Sequence, residues 1–200
     1  MLNGPSRTWY ESGQQQKEIP YVNDETHGKL VSWYESGQNK SEADYVNGML
    51  EGKLSHWYED GQLESEQLYV AGKPHGEWSN WYKTGQKKEM ISYQAGKLDG
   101  NWTFWYPNGE RMRVKNYREG LAEGAWSVWH DDGSVKEELS FQNGLADGQW
   151  LYWYQNGYKQ RVEIYKAGEP EGTWVFWSEE GVKIKEEIYH NGSLVELKSF

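Results

Sequence analysis

The sequence predicts an all-β repeat array: eight 24-residue β-hairpins forming one elongated, twisted antiparallel meander. Three observations predict it. Tryptophan stands at 9, 33, 57, 81, 105, 129, 153 and 177, a spacing of 24 without insertion or deletion. Glycine keeps the same period in three columns, Gly13 to Gly181, Gly28 to Gly172 and Gly48 to Gly192. The segments between are too short and too broken by glycine for a helix pair, yet rich in β-favouring aromatics. A fixed period of this kind marks a repeat array rather than independent globular domains. Residues 1–200 therefore read as a single repeat domain, with hairpins over about 4–192 and a short C-terminal cap at 193–200.

The fifth repeat shows each element in turn. "GNWTFWY" is the first strand, "PNG" the turn, "ERMRVKNY" the second strand, and "REGLAEG" carries the chain to the next hairpin. The residue before the turn glycine is Ser12, Ser36, Asp60, Thr84, Asn108, Asp132, Asn156 or Glu180. Thr and Glu disfavour positive φ, so only the glycine is free to be left-handed at every turn. That predicts a three-residue loop, a type I turn followed by a glycine bulge, with Tyr106 opposite Glu110. Continued without interruption, this register puts Trp105 and Tyr117 on one face and Trp102, Phe104 and Tyr106 on the other. Stacked hairpins then form aromatic ladders. A sheet this long twists and coils, which predicts a curved trough with one concave side.

Composition narrows the function. Aromatics make up 16% of the chain while mean hydropathy is −1.02, so the rings replace an aliphatic core. The first hundred residues hold 10 Lys+Arg against 15 Asp+Glu and the second hundred 11 against 16, so each half carries −5 of the −10 net charge. Spread acidity argues against nucleic acid and direct binding of anionic membranes, and suits a basic partner. Cysteine is absent, which removes disulfides and thiolate chemistry. The start shows no apolar signal region, so a cytoplasmic location is expected; a processed chain would look the same. The five histidines, His27, His56, His75, His130 and His190, have no metal-ligand spacing, and no cofactor is expected. Carboxylates crowd the turns without forming a distinct acid–base pair. No nucleophile elbow is present, so no enzymatic activity is expected.

The stretch "WYKTGQKKEMISYQAGKLDG", carrying Trp81, Tyr82, Gly85, Gln86, Tyr93, Gly96, Lys97, Leu98 and Gly100, resembles the MORN repeat variant. More specifically it is similar to the repeat of the YwqK family of bacterial antitoxins. The resemblance covers residues 4 to 192 and implies an antiparallel β-meander that binds and neutralises a cognate toxin, as an antitoxin or immunity protein. It brings no catalytic residues. Departures are His130 and Ser178 for the Tyr after Trp, Phe141 for the second Tyr, Asp24 for a turn glycine and Glu196 for the last column glycine. Other readings are a carbohydrate- or cell-wall-binding module that stacks a glycan on its rings, and a MORN-type scaffold.

Two columns set binding apart from building. The Trp105 column never varies, so the array requires it. The column three residues earlier reads Ser6, Leu30, Leu54, Trp78, Trp102, Trp126, Trp150 and Trp174. The column before the constant Trp includes Phe104, Tyr152 and Phe176. Because the repeat tolerates other residues there, Trp78, Trp102, Phe104, Trp126, Trp150, Tyr152, Trp174 and Phe176 are the candidate partner-binding residues. Aromatics dominate interface hot spots. The expected partner is a basic protein toxin, met by a monomer.

Overall fold

The computed structural model describes residues 1–200 as 21 antiparallel strands without a helix. The chain divides into two compact units, Met1–Lys97 and Leu98–Phe200. The first contains β1 (Gly4–Trp9), β2 (Gln15–Val22), β3 (Glu25–Thr26), β4 (Gly28–Trp33), β5 (Asn39–Val46), β6 (Met49–Trp57), β7 (Leu63–Val70), β8 (Lys73–Trp81) and β9 (Lys87–Gln94). The second contains β10 (Lys97–Trp105, from its second residue), β11 (Arg111–Arg118), β12 (Leu121–Ala122), β13 (Gly124–Trp129), β14 (Val135–Gln142), β15 (Leu145–Ala146) and β16 (Gly148–Trp153). It continues through β17 (Lys159–Lys166), β18 (Glu169–Pro170), β19 (Gly172–Trp177), β20 (Lys183–His190) and β21 (Ser193–Ser199). Within each unit, strands pair with their chain neighbours as an antiparallel meander of hairpins, the fold class the period predicts. The segment expected as a cap is the strand β21, paired with β20.

The turn after each constant Trp has the predicted form. Gly109 N–H donates to Tyr106 C=O at 2.9 Å and Tyr106 N–H to Glu110 C=O at 2.8 Å, with Gly109 at φ 92°. The linker between hairpins holds a second tight turn, whose type the structure defines. Its two central residues both have positive φ, as at Asn47–Gly48 (48° and 75°) and Glu119–Gly120 (50° and 87°), the signature of a type I′ turn. A left-handed Ala or Glu costs roughly 1–2 kcal/mol, so something must offset it. The preceding repeat does. The turn glycine donates to a carbonyl 22 residues back (Gly72 to Leu50, Gly120 to Leu98). The residue before it donates to a side chain 20 residues back: Ala71 to Glu51, Glu119 to Asp99, Asn143 to Glu123, Ala167 to Asp147 and Asn191 to Glu171. This column of carboxylates is turn architecture, and it accounts for part of the acidity.

The staple at Glu171 gives a pH dependence. The Asn191 backbone N–H, followed by the His190 ring, holds the Glu171 carboxyl below its ordinary 4.5. A depressed carboxylate contributes stability that is fully present above its unfolded value and is lost as pH falls through the lower folded value. Thermal melts followed by circular dichroism should therefore lose Tm as pH drops below about 4.5. In Glu171→Gln that part of the slope should vanish.

A second irregularity corrects the expected faces. Trp105 pairs with Arg111, but Phe104 pairs with Arg113, so Met112 is an extra residue and the register shifts. Gln16, Lys40, Glu64, Lys88, Lys136, Gln160 and Ile184 are extra in the same way. One extra residue moves everything beyond it to the other face. Tyr117 therefore lies with Trp102, opposite Gly100, and not with Trp105. The constant Trp column is also no buried core: Trp9 is 56% exposed, the others are half-buried, and no side chain of the chain is less than 2% exposed. Its backbone serves a different role. Tyr10, Tyr34 and Tyr58 each donate their hydroxyl to the carbonyl of the next constant Trp, at 2.8–2.9 Å. Tyr106 and Tyr154 do the same in the second unit. His130 breaks the series; its Nε2 is buried without a hydrogen-bond partner.

Candidate functional site

The candidate residues of the second unit all lie on one face, in three parallel rows set by strand pairing. The first row reads Phe104, Arg113, Val128, Glu137, Tyr152, Arg161, Phe176 and Lys185. The second holds Trp102, Lys115, Trp126, Leu139, Trp150, Glu163, Trp174 and Glu187. The third places Tyr117, Phe141, Tyr165 and Tyr189 opposite Gly100, Gly124, Gly148 and Gly172, whose missing side chains leave room for the rings.

The tryptophans of the second row are builders. Trp126, Trp150 and Trp174 each lie between two rings of the third, and Trp102 meets Tyr117 of the third and Phe104 of the first. Centroid distances run from 6.1 Å at Trp102–Tyr117, through 4.3 Å at Trp126–Phe141 and 4.5 Å at Trp150–Tyr165, to 4.5 Å at Trp174–Tyr189. All are tilted, the geometry that aromatic quadrupoles favour over face-to-face contact. The indole N–H groups of Trp126, Trp150 and Trp174 donate to the carbonyls of Asn116, Ser140 and Ile164 at 2.9–3.0 Å. In the first unit Trp78 has the same arrangement, between Tyr69 and Tyr93 with its N–H on Leu68. Burial pushes the pKa of Tyr69, Tyr93, Tyr117 and Tyr165 upward, Tyr165 the more so because Glu163 sits beside it. The optional tryptophans thus form the ladder that the sequence reading gave to the constant ones.

The first row is different. Cations stack on its rings: the Arg113 guanidinium carbon is 4.0 Å from the Phe104 centroid, that of Arg161 3.8 Å from Tyr152, and Lys185 Nζ 3.9 Å from Phe176. Lys115 Nζ sits 4.5 Å from Trp126, and burial followed by the neighbouring Arg113 lowers its pKa. The Nε atoms of Arg113 and Arg161 are buried without a hydrogen bond. Arg161 Nε lies 3.0 Å from Glu163, an ion pair by distance whose N–H is not aimed at the carboxylate. Glu163, only 7% exposed, also accepts from the hydroxyls of Tyr152 and Tyr165. This stripe of rings faced by cations was hidden in the sequence, since Arg113, Arg161 and Lys185 become neighbours of the rings only once the register is known.

The first unit lacks that stripe. Its first row reads Thr8, Lys17, Ser32, Ser41, His56, Ser65, Asn80 and Glu89. No curated protein matches the chain. The MORN repeat variant matches it at residues 2–23, 26–47, 50–71, 74–95, 98–119 and 122–143. Six matched repeats cover well over half of the sequence, and the chain belongs to the MORN repeat variant family.

Proposed function

We propose that this MORN-repeat protein is a non-enzymatic binding protein, and that it acts as an antitoxin or immunity protein of the YwqK kind. The observation that carries the reading is the stripe Phe104–Arg113, Tyr152–Arg161 and Phe176–Lys185. Rings held in place by flanking strands, with arginines on their faces, have the composition of protein interface hot spots and little rotamer entropy left to lose. The −10 net charge would speed the approach of a basic toxin, with Glu110, Asp131, Asp132, Glu179 and Glu180 along the turn edge of the second unit.

Co-expression tests the reading. The chain should protect cells from a polymorphic toxin encoded beside it, and the triple variant Arg113→Glu, Arg161→Glu, Phe176→Ala should lose protection while its melting curve stays cooperative. A chain that protects equally well with and without the three changes would remove the stripe from the interface. Failure to protect against any neighbouring toxin would remove the antitoxin reading.

A further inference from the structure

The face that carries the ladder in the second unit has a hollow in the first, and the hollow has a simple origin. Where the later repeats place the ladder Trp, the second and third place Leu30 and Leu54, paired across the short Ala43. Where the second unit has Phe104, Tyr152 and Phe176, the second repeat has Ser32. Indole-sized volume is missing above the sheet, and the result is an open hollow of about 450 Å³. Leu30, Ala43, Tyr45 and Leu54 line it together with Lys17 and Lys40. The volume lies within the ~300–1,000 Å³ of ordinary small-molecule sites.

Charge selects the occupant. The chain is strongly acidic, yet no carboxylate lines the hollow, and two lysines do. Lys17 holds the row position of Arg113, Arg161 and Lys185, each of which lies on a ring. Lys17 is paired across the strands with Thr8 and Ser32 instead, so it is a cation whose ring is missing. Lys40 Nζ is 5.4 Å from the Tyr34 centroid and free of any ion pair. We propose that this hollow binds a small planar aromatic carboxylate. The ring would take the place of the absent indole over Leu30 and Leu54 beside Tyr45, and the carboxylate would meet Lys17 and Lys40. A ring in that place regains the tilted contacts the ladder makes elsewhere, and gains a cation on its face.

Titration calorimetry with indole-3-acetate tests this on the full chain, with indole-3-methanol as the neutral probe and tryptamine as the cationic one. The anion is expected to bind one per chain, at least about tenfold more tightly than either control. Leu54→Trp rebuilds the ladder residue of the later repeats, so it should preserve folding while lowering affinity at least about tenfold; Leu30→Trp serves if Leu54→Trp misfolds. Lys17→Gln with Lys40→Gln should erase the preference for the anion. Absence of heat at millimolar indole-3-acetate, equal binding of the neutral probe, or unchanged affinity in the refilled variants would each overturn the site. None of these outcomes bears on the toxin reading, which rests on residues of the second unit.

Discussion

Trp150→Ala is expected to destabilise the protein by about 3 kcal/mol, the low end of the range for Trp→Ala in a core because the ring is half-buried. The loss has separable parts. The indole lies 5.2 Å from Phe141 and 4.5 Å from Tyr165, and each such pair contributes roughly 0.5–1.5 kcal/mol beyond area burial. Its N–H is one of two donors to the Ser140 carbonyl, the other being Asp147 N–H, so its removal weakens that acceptor without orphaning it. Trp150→Leu should cost about half as much, since Leu30 and Leu54 show that the backbone accepts the residue and the aliphatic side chain retains burial. Guanidinium unfolding followed by circular dichroism measures both. A Trp150→Ala variant within about 0.5 kcal/mol of the parent would mean that the rings decorate the sheet without holding it.

The reversal at this column shows what the sequence could and could not reveal. The period, the hairpins and the glycine bulge after each constant Trp were legible, because those features demand particular residues: a free φ at Gly109, a β-favouring strand on either side. The extra residue in the returning strand demands nothing. Gln16, Lys40, Glu64, Met112 and Ile184 all fill it, so no composition marks the point where the faces change. From there on, an uninterrupted alternation assigned Tyr117 and its equivalents to the wrong face, and with them the ladder to the wrong tryptophan. One signal could have corrected it. Each Tyr of the third row needs room, and the glycine column Gly100, Gly124, Gly148 and Gly172 supplies it only if the two share a face. The constant Trp column lends its backbone to the array, as the carbonyls of Trp129 and Trp177 accept the Tyr106 and Tyr154 hydroxyls of the repeat before. The cations of the stripe were invisible for a related reason, since a cross-strand neighbour has no meaning until the register is fixed.

Gly148→Val should then expose how the junction between hairpins works, at a cost of about 1–3 kcal/mol for the backbone alone. Gly148 has φ 92°, where a β-branched residue is an outlier, and an added Cβ would meet Ser140 Oγ at 3.4 Å. The position cannot relax freely. Asp147 N–H before it is tied to the Ser140 carbonyl at 3.0 Å, and Trp150 after it reaches the same oxygen at 2.9 Å. Both bonds depend on the chain turning at the glycine, so a valine that forces φ toward negative values pulls the two donors off together. The indole then leaves its place between Phe141 and Tyr165, and part of the Trp150→Ala loss is incurred in advance. Gly148→Val and Trp150→Ala should therefore be non-additive, the double variant being more stable than the sum of the singles by 1 kcal/mol or more, roughly the coupling seen between residues sharing one network. Strict additivity would place the glycine's role in its own turn and not in aiming the tryptophan.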